Sequence, residues 1–110
     1  MVKLKRAQIR RGQTGVDVTV KSAKDYARVF APTWSMVMNY KRGVITEAEY
    51  TKAYLAILDK VPRLAWNWLY RQAVNDEVTL LCYCRDGQFC HTYLLIDYAV
   101  KKYPTAFTKG

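Results

Sequence analysis

Val78 to Cys84, VTLLCYC, is an uncharged run of apolar, aromatic and β-branched side chains. That composition fits a central strand with both faces covered, which requires helices around it and makes the chain α/β. The polar stretch Arg85-Asp86-Gly87-Gln88-Phe89 then reads as a loop, and Cys90 to Tyr103 places Leu94, Leu95 and Tyr98 on one helical face. The unit is strand, loop, helix. With 110 residues, one core is expected rather than two. The predicted fold is a small single α/β domain over residues 1–110, with a short, mostly parallel sheet and about four to five helices.

Upstream, VKLKRAQIRR alternates loosely before Gly12, so residues 1–12 read as a basic strand or arm at a sheet edge. Val16, Val18 and Val20 recur at every second position and predict a second strand. Ser22 and Asp25 have capping-box spacing for a short helix that must stop before Pro32. Trp34, Val37, Met38 and Lys41 fall at helical spacing, with Gly43 as the stop. Thr46 and Glu49 form a capping box ahead of the stripe Tyr50, Ala53, Tyr54, Ile57 and Leu58. Pro62 opens a further helix carrying Trp66, Leu69, Tyr70 and Ala73. Residues 104–110, PTAFTKG, lack periodicity and read as a surface tail.

Residues 1–45 hold ten Lys/Arg against two Asp, whereas residues 46–110 hold eight against seven acidic residues. The basic excess is therefore N-terminal, and it favours an anionic partner there. The longest uncharged stretch, Val29–Tyr40, has 12 residues, short of the roughly 20 that a spanning helix needs. No membrane partner is expected. An odd number of cysteines without a secretory signal points to free thiols and a cytoplasmic setting. Aromatic residues make up 14% of the chain, enough to make a homodimer a candidate assembly.

The chemistry concentrates at Cys82, Cys84, Cys90 and His91, the last being the only histidine. Cys82 and Cys84 are two apart on a strand and face one side, while Cys90 and His91 fall in the first helical turn. A helix start offers unpaired amides and partial positive charge, which lower a thiol pKa and hold anionic oxygens. Buried cysteine also serves as a small core hydrophobe, and a histidine often only ties down a loop. Adjacent helical side chains diverge by about 100°, so Cys90 and His91 alone make a poor nucleophile–base pair, and a dyad needs Cys82 or Cys84. Cys-x-Cys-x5-Cys-His supplies four zinc donors, but the first pair departs from the usual structural spacing, so neither a metal nor another cofactor is expected.

LLCYCRDGQFCH, residues 80–91, resembles domain-of-unknown-function family 488, whose hallmark is a strand ending in LLC, a loop, and CHR opening a helix. FAPTWSMVMNYKRGVITEAEYTKAYLAIL, residues 30–58, is similar to the helices of short, often phage-encoded members. The resemblance covers roughly residues 16–103. It implies a compact α/β fold with Cys82, Cys90 and His91 near the functional end, and it brings no reaction. Thr92 replaces the family's arginine after CH, so a charged contact from that position is absent or becomes a hydroxyl.

The preferred expectation is a binding protein for a small anionic, nucleotide-derived ligand where strand 78–84 meets helix 90–103; given the phage-like resemblance, one version sequesters a host defence signal. Backbone amides of Gln88 to Thr92, including those of Cys90 and His91, would take the anion beside Gly87. Arg85, Arg10 or Arg11 would add charge, and Tyr83 or Trp34 would cover a base. In the enzyme alternative, Cys90 or Cys82 is the nucleophile and His91 the acid or base. A nucleic-acid-binding alternative uses the basic N-terminal residues, including Lys3, Lys5, Arg6, Arg10 and Arg11, with tyrosines as stacking surfaces.

Overall fold

The computed structural model describes residues 1–85 and 87–110. The chain runs β1 (Val2–Gln8), β2 (Val16–Asp17), a 3-10 helix (Asp25–Phe30), α1 (Trp34–Lys41), α2 (Glu47–Asp59), α3 (Arg63–Arg71), β3 (Glu77–Cys82), α4 (His91–Lys102) and β4 (Phe107–Lys109). The four strands form one sheet in the order β2-β3-β1-β4. Every named pair is parallel. The carboxyl ends of β1, β2 and β3 therefore lie together, and the loops that follow them share one edge of the molecule.

Three sequence expectations need correction. The basic first strand is interior rather than at an edge, because β1 pairs with β3 on one side and β4 on the other. Its alternation is stronger than it looks: Val2 and Leu4 are buried while Lys3 and Lys5 stay exposed. Residues 104–110 do not form a loose tail, since β4 adds to β1 and Phe107 is buried against Trp66, Tyr70 and Tyr103. One apolar residue among polar ones leaves no period to read. The segment after Val20 makes a 3-10 helix whose N-cap position is Lys24; Ser22 instead bonds the Asp17 carboxylate, and its hydroxyl is thereby taken.

β3 is interior, as its composition requires, but its two faces differ. Val78, Leu80 and Cys82 are buried on the helix side, whereas on the other face Leu81 is buried but Glu77 and Thr79 are only half-buried. That second face carries the Lys5–Glu77 ion pair at 3.0 Å. The strand also stops at Cys82, leaving Cys84 in the loop.

The helices follow their local signals closely. Thr46 and Glu49 close a complete capping box on α2, and Tyr50, Tyr54 and Leu58 are its buried stripe. Thr33 caps α1 by accepting from the Met36 amide. α1 turns Met36 into the core, so Trp34, Val37 and Lys41 face a cavity instead. α4 packs on β1, β3 and β4, and against α2. No helix among the described residues is long and apolar enough to cross a membrane.

Because Phe107 holds β4 in the core, Phe107→Ala should destabilise the fold by about 3 kcal/mol or more. A urea unfolding curve measures this directly; a change within error would mean that β4 adds nothing to the core.

Candidate functional site

The site lies where β3 ends and α4 begins. Cys82 occupies the last position of β3, and its alternation with Val78 and Leu80 directs it to the helix side of the sheet. In register beside that face run Val2, Leu4 and Arg6 of β1, with Arg6 opposite Leu80. The inward pattern that buries two apolar residues thus carries Arg6 under the start of α4. Its Nη2 donates to Cys82 Sγ at 2.6 Å and to the Cys84 carbonyl at 2.7 Å, and its Nε donates to Thr92 Oγ1 at 3.3 Å. The guanidinium also lies 5.2 Å from the centre of the Tyr93 ring, within cation–π range. Arg6 had counted in the sequence only as one of the N-terminal basic residues; the period-two pattern through Val2 and Leu4 was the signal that could have placed it.

The three sulfurs lie within 4.8 Å of one another. Cys90 Sγ donates to Cys82 Sγ at 3.3 Å, and the Thr92 hydroxyl donates to Cys90 Sγ at 3.3 Å. Thr92 Oγ1 is also 3.8 Å from Cys82 Sγ. Cys82 Sγ also lies 3.9 Å from the Cys84 carbonyl oxygen and is therefore the common contact of the cluster. Its thiol pKa falls below the ordinary value because Cys84, Cys90 and Arg6 hydrogen-bond the anion, against the opposing cost of burial. Cys84 and Cys90 shift upward, chiefly because each proton is held toward the Cys82 sulfur. These directions favour the anion at Cys82 over its two neighbours.

His91 stands at the first position of α4 with Cys90 as its N-cap. Nε2 lies 2.8 Å from the Val18 carbonyl oxygen. A carbonyl only accepts, so Nε2 carries the proton and Nδ1 presents its lone pair toward Cys90 Sγ, 3.7 Å away. Burial holds the imidazole pKa below its usual value. The divergence expected of neighbouring helical residues does not apply, because Cys90 has an extended backbone with φ −154° and ψ 146°. Sequence reasoning placed both residues inside the helix and so missed this contact.

Above the sulfurs opens a cavity of about 700 Å³, within the size range of small-molecule sites. Cys82, Cys84, Cys90 and His91 line it together with Trp34, Tyr40, Tyr50, Tyr83 and Phe89. Tyr40, Tyr50 and Phe89 form a mutually packed wall, with ring centroids 5.1 to 5.7 Å apart. Trp34 and Tyr83 are about half exposed, at 54% and 50%, so each offers a free aromatic surface. Tyr83 is tethered through its hydroxyl, 3.2 Å from Ser22 Oγ, and Lys21 Nζ lies 5.9 Å from its ring centre. Lys21 and Lys41 are the cations on the cavity lining, joined there by Glu47.

The remaining predicted residues fall in different places. Gln88 lines the cavity, but its amide donates to the Arg85 carbonyl at 3.2 Å. The Gly87 amide is taken by Tyr93 Oη at 2.9 Å. Thr92 is fully buried and serves the sulfurs. Arg85, Arg10 and Arg11 are exposed and lie outside the cavity lining. For a metal, the donors that lie together are the three sulfurs of Cys82, Cys84 and Cys90, soft ligands of the kind a zinc-like ion takes.

Fold and site together define a small α/β protein with a trithiol centre at the carboxyl end of a parallel sheet. A family model described as the active DUF488-N3 subclade, DUF488-N3a, matches residues 3–102. The chain belongs to that family. Searches of curated proteins and of solved structures return no match.

Arg6→Met should remove one support of the thiolate and move the Cys82 titration upward, read as the pH at which the ultraviolet thiolate absorbance appears. An unchanged titration would show that the guanidinium does not hold the anion. His91 gives a second prediction. Its folded pKa is lowered, so below about pH 6.5 the unfolded chain takes up a proton that the folded chain resists. Stability should fall as pH drops from about 6.5 toward 5, with a slope of at most about 1.4 kcal/mol per pH unit. His91→Gln should flatten that part of the curve, measured by denaturant unfolding at each pH.

Proposed function

We propose that this domain is a thiol-dependent enzyme acting on a small anionic, nucleotide-derived molecule, with the Cys82 thiolate as nucleophile. The carrying observation is the Arg6 guanidinium 2.6 Å from Cys82 Sγ at the floor of an aromatic cavity. A cysteine serving only as core filler needs no cation. The matched subclade's description as active agrees with a chemical role.

The cavity is graded from floor to mouth. Buried sulfur and imidazole lie at the bottom, packed aromatic rings form the wall, and exposed Lys21 and Lys41 join half-exposed Trp34 and Tyr83 outermost. A ligand matching that gradient presents its anionic group to the lysines, a flat ring to the aromatics, and an electrophilic carbon to Cys82. Attack would form an S–C bond and break the bond to the leaving group, which takes the Cys90 thiol proton. Water then releases the enzyme-bound fragment: its oxygen bonds to the carbon as the S–C bond breaks, and its proton passes by way of His91 Nδ1 back to the Cys90 sulfur.

A second reading keeps the same ligand class and omits turnover. It rests on the exposed Trp34 and Tyr83 surfaces, which suit a stacked base, and it includes sequestration of a host defence signal. A panel of nucleotides, cyclic nucleotides and ADP-ribose derivatives separates the two. In the enzymatic reading at least one is consumed, Cys82→Ala lowers the rate by several orders of magnitude, and intact mass detects a substrate fragment on Cys82. Saturable calorimetric heat without consumption supports the binding domain instead. Neither heat nor consumption across the panel overturns both.

A further inference from the structure

The same thiol cluster has the parts for a second reaction that needs no nucleotide. Cys90 Sγ and Cys82 Sγ are already 3.3 Å apart, and a disulfide needs about 2.05 Å, so closure takes little more than a side-chain adjustment. Cys82 is flanked by a guanidinium at 2.6 Å and a hydroxyl at 3.8 Å. Cys82 lines the cavity, so a small polar oxidant can reach its sulfur from there. His91 Nδ1 lies 3.7 Å from Cys90 Sγ, placed to take the proton that Cys90 must lose.

We infer that Cys82 and Cys90 form a hydroperoxide-reducing pair, in which Cys82 is oxidised first and Cys90 resolves it to an intrachain disulfide. In the first step the Cys82 sulfur attacks one peroxide oxygen, an S–O bond forms and the O–O bond breaks. The leaving oxygen takes a proton from solvent water and departs as water or an alcohol, and the hydroxide left behind is neutralised by the proton released when the disulfide is reduced back to one thiolate and one thiol. Cys82 is then a sulfenic acid, oxidised by two electrons, and the peroxide is reduced by two. In the second step Cys90 Sγ attacks the Cys82 sulfur, the S–S bond forms and the S–O bond breaks. The hydroxyl leaves as water with the Cys90 proton. A dithiol reductant returns the pair to its starting state. Cys84 takes no part, and it remains the one alkylatable thiol.

The inference shares the Arg6-supported thiolate with the proposed catalysis but not its substrate, so the two can fail separately. The test treats reduced protein with hydrogen peroxide in the absence of nucleotide, then alkylates the remaining thiols. Tryptic cleavage after Arg85 places Cys82 and Cys84 on one peptide and Cys90 on another, and fragmentation identifies the bridged sulfur. The expected product is a Cys82–Cys90 disulfide with Cys84 alkylated. At neutral pH it should form at least about tenfold faster than free cysteine reacts, since only a few per cent of free cysteine is thiolate. Cys84→Ser should give the same product, and Cys90→Ser should stop at a sulfenic acid on Cys82, trapped with dimedone. Oxidation no faster than free cysteine, a bridge that includes Cys84, or a dimedone adduct on Cys84 would each overturn the inference. Peroxide reactivity in a protein inert to every nucleotide would leave this pair standing and remove only the enzymatic reading.

Discussion

The contact between Arg6 and Cys82 organises the centre of this molecule. A charge pair taken out of water is stabilising only when the remaining donors and acceptors are satisfied. Here the sulfur also receives the Cys90 thiol, while the guanidinium reaches the Cys84 carbonyl and the Thr92 hydroxyl and lies against the Tyr93 ring. Four pieces of chain are therefore held by one pair of groups: β1 through Arg6, β3 through Cys82, the following loop through Cys84, and the first turn of α4 through Thr92 and Tyr93. Moving any of them by an ångström changes the environment of the sulfur.

The parallel sheet makes that contact available. Arg6 and Cys82 are 76 residues apart in sequence, yet β1 and β3 are neighbours with their carboxyl ends at one edge. The intervening chain supplies the upper part of the cavity. α1 contributes Trp34 and Val37, α2 contributes Glu47 and Tyr50, and the segment after β2 contributes Thr19 to Lys21. The same segment presents the Val18 carbonyl that fixes the His91 tautomer. Crevices beyond the carboxyl ends of parallel strands are common binding positions because several loops converge there without disturbing the sheet. In this chain the floor is sulfur instead of a glycine-rich turn, and part of the local amide supply is already engaged, by Tyr93 Oη at Gly87 and by the Arg85 carbonyl at Gln88.

Local order was easy to read in the sequence, whereas partners distant in the chain were not. The capping box at Thr46 and Glu49 and the stripe through Tyr50, Tyr54 and Leu58 depend on residues within a few positions of one another, and they reappear intact. The interior strand at Val78 was visible for the same reason. β1 was misplaced at an edge because its exposed lysines mask the buried alternation, and only pairing with both β3 and β4 reveals its position. β4 carries too few apolar residues to announce itself. At the site, the clustering of three cysteines with the single histidine was legible, but the cation that gives Cys82 its charge belongs to a strand near the other end of the chain. The helix at Trp34 shows a subtler limit: its apolar stripe was correctly spaced, yet it faces the cavity, because periodicity defines a face without saying what that face meets.

The division of protons among the sulfurs then explains why three thiols occupy one small space. Three thiolates there would repel one another. Hydrogen bonding favours Cys82 for any single charge among the sulfurs, because it contacts Arg6 and accepts from Cys90. Cys90 is correspondingly held toward the thiol form beside an imidazole that burial holds toward the neutral form. The centre thus brings an Arg6-bound sulfur, a thiol and an imidazole lone pair together in distinct environments. The difference comes from position rather than residue type, because Cys84 and Cys90 shift upward where Cys82 shifts downward.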